Sequence, residues 1–203
     1  MLGSEGVTRE LVRRLRTAMP ARLVELRERY ETDMRGLPDL ALIEADEIDI
    51  KSLEKFPAIF VVPVDTSGRL DNRQTETTGS YDEYSFTYNM QLFVYARGDD
   101  YKSTSLRVKR YTLAARECLL AGKQLLSGAE NLAIEPKTLR ESYSQISKLG
   151  GASKFIGGAF IDVQVVSEER INSTLEAYVV ELVPDVKVVT DTKSALPLWN
   201  AEV

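Results

Sequence analysis

From Tyr84 to Leu126 the chain reads as one long strand, a short turn and one long helix. Tyr84, Phe86, Tyr88, Met90, Leu92, Val94 and Ala96 occupy every second position. The intervening positions begin polar, with Ser85, Thr87, Asn89 and Gln91, then become Phe93 and Tyr95. Strand side chains alternate between the two faces of a sheet, so this period of two predicts a strand. The change at Phe93 predicts that one end is covered on both faces. Beyond Arg97–Gly98–Asp99–Asp100, Val108, Tyr111, Ala115, Cys118, Gly122 and Leu125 recur at spacings of three and four, with Leu119 and Leu126 beside them. That stripe predicts a helix capped by Ser103 or Thr104 and packed on the sheet. Cys118 falls within it and reads as a small buried hydrophobe. The Arg-Gly-Asp tripeptide reads as ordinary turn chemistry at the strand–helix junction.

A first helix is expected from Thr8 as N-cap, with Leu11, Leu15, Ala18 and Leu26 on adjacent turns. Pro20 predicts a kink or two abutting helices, because proline has no N–H and clashes with the preceding turn. Seven arginines from Arg9 to Arg29 make the segment basic, as Arg107, Lys109, Arg110, Arg116 and Lys123 do for the second helix. A solvated face is the default reading of both; contact with an acidic partner is the sharper one for the first. Asp39 to Lys55 reads as an acidic surface connector, since it lacks the spacing of a calcium loop. Phe56 to Asp65 reads as a strand apolar on both sides, with Pro57 and Pro63 suggesting an edge position or bends. Thr66 to Asp82 reads as a long polar loop. A loose strand follows around Leu132 to Ser147, then a better one over Phe155 to Val166, where Gly157–Gly158 suggests a bulge or a close backbone approach. Lys148 to Lys154 is glycine-rich, but it joins two strands and lacks the helix start that a phosphate loop needs. Leu175 to Val183 fits a strand or a helix equally. Trp199 fits a core plug or an anchor on a neighbouring subunit.

The expected architecture is therefore α+β: a mainly antiparallel sheet of about four strands, two long helices packed on it, and an extended C-terminal arm. Residues 1–170 form the domain and 171–203 the extension.

Composition narrows the chemistry. The 203 residues suffice for one domain with a real core, and 43% apolar with 28% charged residues is ordinary for a globular chain. A net charge of −5 argues against a dedicated nucleic-acid binder. There is no histidine, which removes the commonest general base and metal ligand. A single cysteine allows no internal disulfide, and no thiolate–imidazole pair can form. No catalytic, cofactor-binding or metal-ligating set is found. The N-terminal residues lack a hydrophobic signal segment, and no apolar run approaches the roughly 20 residues that span a bilayer. Synthesis in a cytoplasm and no membrane partner are expected.

The segments Met19–Pro20–Ala21–Arg22–Leu23, Phe56–Pro57–Ala58–Ile59–Phe60–Val61 and Phe86 to Arg97 ahead of a helix carry a resemblance. Over roughly residues 8 to 170 the chain resembles the tail terminator, or tail-completion, proteins of long-tailed bacteriophages. The resemblance implies a non-enzymatic virion protein at the head-proximal end of the tail. It implies a homo-oligomeric ring, typically a hexamer, with the tail-tube protein and the head–tail connector or neck protein as partners. It implies no cofactor, and DNA only as passing cargo. Candidate assembly contacts are Arg69, Asp71 and Arg73 in the polar segment, and Leu198 and Trp199 near the C-terminus. A neck stopper or connector, a small-ligand-binding domain or enzyme, and a nucleic-acid module using the basic helices are the alternatives.

Overall fold

The computed structural model describes residues 3–45, 53–76, 79–127, 130–148 and 154–172. Among these residues two helices, α1 (Gly3–Arg29) and α2 (Tyr101–Leu120), accompany seven strands: β1 (Leu42–Ala45), β2 (Ala58–Glu76), β3 (Gly79–Gly98), β4 (Gln124–Ser127), β5 (Glu130–Tyr143), β6 (Ser147–Lys148) and β7 (Phe155–Asn172). All seven join one sheet in the order β1-β2-β3-β7-β5-β4, with β6 also paired to β7. β1 runs parallel to β2, in register Ile43↔Ile59, while β4–β5, β5–β7 and β6–β7 are antiparallel. Contacts between β3 and β7 step in opposite directions along the two strands, Gln91 to Asp162 and then Phe93 to Phe160, as antiparallel neighbours require.

This mixed, seven-stranded sheet replaces the expected fold of about four mainly antiparallel strands with two long helices. The error lies in the polar stretches. Thr66 to Asp82, expected as a loop, is strand on both sides of residues 77–78. The acidic connector holds β1, an edge strand. Residues 64–72 are exposed at every successive position, so they carry no apolar alternation; backbone pairing makes them a strand. The end expected for α2 is different too. The helix stops at Leu120, and Leu125 belongs to β4. Of the expected C-terminal arm, Ile171 and Asn172 continue β7, and the rest lies outside the described residues.

The helix α1 is continuous through Pro20. Val7, Leu11, Leu15, Met19, Leu23 and Leu26 are buried at spacings of three and four. Pro20 sits on the exposed side, where water can take the carbonyl its missing N–H leaves open. Thr8 is not a cap but an interior residue, its hydroxyl donating to the Ser4 carbonyl at 2.8 Å. Asp100 caps α2: its Oδ1 accepts from the Ser103 N–H at 2.8 Å.

The core forms where the apolar sides of α1 and α2 meet one face of the sheet. Tyr88, Met90, Leu92, Val94 and Ala96 of β3 and Ala159, Ile161, Val163 and Val165 of β7 lie in one buried cluster with Leu11, Leu15, Val108 and Leu119. Tyr111 and Cys118 are also in it, and burial pushes the Cys118 thiol up to about 11. By contact density the chain forms two units, Met1–Arg69 with Ser85–Glu169, and Leu70–Tyr84 with Arg170–Val203. In the second, the Arg170 guanidinium lies 5.1 Å from the centre of the Tyr81 ring, and its Nε donates to Glu83 at 3.0 Å.

Candidate assembly surfaces

The sheet face turned away from the helices is built by the odd residues of β3 and the even residues of β7. Phe93 meets Phe160 edge-on at 5.2 Å and Tyr95 at 6.3 Å, and Phe60 of β2 lies 6.2 Å from Tyr95. Phe93, Tyr95 and Phe160 are half-buried. Beside them the Gln91 amide donates to Asp162 at 2.7 Å, and the Asn89 amide to Asp65. Phe60 and Asp65 thus contact same-face residues of β3 although five positions separate them. A regular strand cannot do this, so β2 shifts register between them, where Pro63 stands.

Gly157 and Gly158 permit close approach on both faces. A Cβ on Gly157 would stand 3.1 Å from Val108 of α2, and one on Gly158 would stand 3.0 Å from the Tyr95 ring. The register break along β5 falls elsewhere, between Glu135 and Arg140. Pro136 has no N–H to pair there, and the Thr138 hydroxyl instead accepts from Gln164 N–H at 2.9 Å.

A second surface lies on the outer side of α2. Tyr30, Leu106, Leu113 and Tyr143 line an open groove of about 380 Å³ with Arg110 and Arg116. Tyr30, Leu106 and Tyr143 are each more than 40% exposed, unusual for such apolar bodies so close together. The Arg110 guanidinium lies 4.8 Å from the centre of the Tyr30 ring. Arg116 pairs with Glu141 at 3.0 Å, and the Tyr143 hydroxyl donates to the same carboxylate at 2.9 Å. Burial first, and Glu141 second, raise that phenol to about 12, so it stays a donor at neutral pH.

Of the contacts expected from the sequence, Arg69 and Asp71 are exposed on β2. Arg73 is also on β2. Leu198 and Trp199 lie outside the described residues. Arg69 is not among the residues that line the groove. The one sequence signal for the aromatic face was the switch from polar to aromatic at Phe93. The groove had none, because Tyr30, Leu106 and Tyr143 come from three separate segments.

No family model and no curated protein matches the chain. Among solved structures it is similar to a chain of the "Virion of native gene transfer agent (GTA) particle". The identity is 12% and the TM-score 0.30, over 75% of this chain and 94% of that one. A likeness that slight is too weak to bear on function.

Proposed function

We propose that the chain is a structural protein of a phage-like particle, and that copies of it close into a ring capping a tail tube. The observation that carries this reading is the pair of unlike surfaces, an aromatic sheet face and a Tyr/Leu/Arg groove. Tyr, Phe and Arg are side chains enriched at protein contacts, and of the two depleted types in the groove, Lys109 and Glu141, the latter is paired with Arg116. A head-to-tail ring needs two different complementary surfaces on each subunit, whereas a two-fold dimer needs one self-complementary patch. The resemblance to tail terminators supplies the setting; its three segments are largely core, and the third also carries Phe93 and Tyr95 of the aromatic face. Met19 and Leu23, residues 58–61, and Met90 to Val94 at alternate positions are buried. A net charge of −5 suits a ring through which DNA passes without sticking.

The test is light scattering on the chromatographed protein, alone and with tail-tube protein, followed by negative-stain imaging. Rings are expected, at least when tubes are present. A chain that stays monomeric and never binds tubes defeats the reading. Binding to head-completion proteins in place of tubes moves it to the neck.

A further inference from the structure

Near the start of β2, the end of β3 and the middle of α2 lies a cavity of about 180 Å³. Phe56, Ala96 and Tyr111 give it an apolar wall, and Arg97, Arg107 and Lys154 give it three positive charges. No carboxylate of the described residues lines it.

The two guanidinium groups are positioned without being neutralised. Arg107 donates from Nε to the Gly36 carbonyl at 3.1 Å, from Nη1 to the Arg97 carbonyl at 2.7 Å, and from Nη2 to the Arg35 carbonyl. All three acceptors are uncharged, so the side chain is fixed while its charge remains. The Arg97 guanidinium lies 5.2 Å from the centre of the Phe56 ring. That ring attracts the cation without neutralising its charge. The Tyr111 hydroxyl donates to the Pro38 carbonyl at 2.6 Å, which holds the wall in place. Asp100 lies within reach of the Arg107 charge, but its Oδ1 is occupied by the Ser103 N–H at the cap of α2. Among the described residues none of the three cations forms an ion pair, although α1 and its neighbours pair freely elsewhere.

We propose that this cavity is an oxyanion site, taking a phosphate or carboxylate group. Three like charges around a small, partly apolar cavity repel one another at reduced dielectric, and one bound anion reverses that term. Guanidinium edges match the oxygens of such groups in pairs, and the bonds are charge-assisted on both sides. The volume admits one such group with a short stem. The site is independent of the ring, since it needs no second copy.

The experiment titrates the whole chain with inorganic phosphate and, separately, with acetate, holding ionic strength constant with chloride. Side-chain Nε–H signals of Arg97 and Arg107 are followed by ¹H–¹⁵N NMR. Saturable shifts of both are expected, and the arm that saturates first identifies the phosphate or the carboxylate as the natural class. Arg97→Gln combined with Lys154→Gln should weaken binding about tenfold or more, because charge-assisted bonds to the anion are lost. Its circular dichroism should match the parent's. Arg107 is left intact, because its bonds to three carbonyls hold the 35–36 turn. Lys154→Gln alone, at an exposed position, gives a second measurement if the pair disturbs folding. The inference is overturned if neither anion gives saturable shifts, if chloride alone reproduces them, or if the variants bind as tightly as the parent.

Discussion

Glu169 is 1% exposed, and one of its oxygens is served by two hydroxyls. Tyr88 Oη donates to Oε1 at 2.8 Å and Ser167 Oγ donates to it at 3.1 Å, while Oε2 has no hydrogen-bond partner among the described residues. Removing one donor leaves a buried carboxylate poorly compensated, at a cost of about 1–3 kcal/mol. Tyr88→Phe should therefore lower the unfolding free energy in urea by that amount without altering the circular dichroism. An unchanged midpoint would show that the Tyr88 hydroxyl adds nothing net. At Gly157 the limit is steric. Val108 and Ile146 stand 3.1 Å and 3.0 Å from where a Cβ would lie, so Gly157→Val overpacks the site by about 1–3 kcal/mol, read by thermal melting. The sequence marked Gly157–Gly158 as a close approach or a bulge. The packing of α2 on one side and Tyr95 on the other shows the close approach.

At the scale of elements, α1 and α2 were legible from apolar spacing because a core-facing helix must repeat its stripe every three to four residues. Leu15 is fully buried within that stripe. Leu15→Ala should cost about 2–5 kcal/mol in chemical denaturation, the range for a cavity left by a buried leucine. Arg9, Arg13, Arg16 and Arg29 are exposed, as a solvated face requires, but exposure is not all the arginines do. Several end on internal backbone carbonyls: Arg14 on Cys118, Arg16 on Ile43, Arg27 on Leu37, and Arg107 on the 35–36 turn. Arg16 does this with both Nε and Nη2, at 2.9 and 2.7 Å, and so occupies an acceptor on edge strand β1. The cap of α2 has a pH signature. The Ser103 N–H bond holds the Asp100 carboxyl below its ordinary value of 3.8. A depressed folded pKa contributes stability above the unfolded value and loses it as pH falls through the folded one. Asp100→Asn keeps a capping oxygen but cannot titrate, so its melting temperature should fall less steeply than the parent's below about pH 4. Parallel acid limbs would show that the cap has no part in acid stability.

For the whole molecule, the two-surface reading makes a prediction that a symmetric dimer cannot meet. Phe93→Asp disables the aromatic face, and Leu106→Asp disables the groove. Each variant alone should stay monomeric while keeping its circular dichroism. Mixed, they retain one good surface each and should form a heterodimer that grows no further, seen as a single step in light scattering. Larger assemblies from either variant alone would show that its surface is not used. What the sequence by itself determined is the set of segments that bury apolar side chains: both helices, the long β3, the apolar start of β2, and β7. Those segments announce themselves because burial imposes a period on residue type. The tertiary structure alone decided the number of strands, the parallel β1, the strands hidden in a polar stretch, and the company kept by Tyr30, Leu106 and Tyr143. Strand pairing is made by backbone groups that every residue carries, and a surface is made by residues distant in the chain, so neither leaves a local pattern to read.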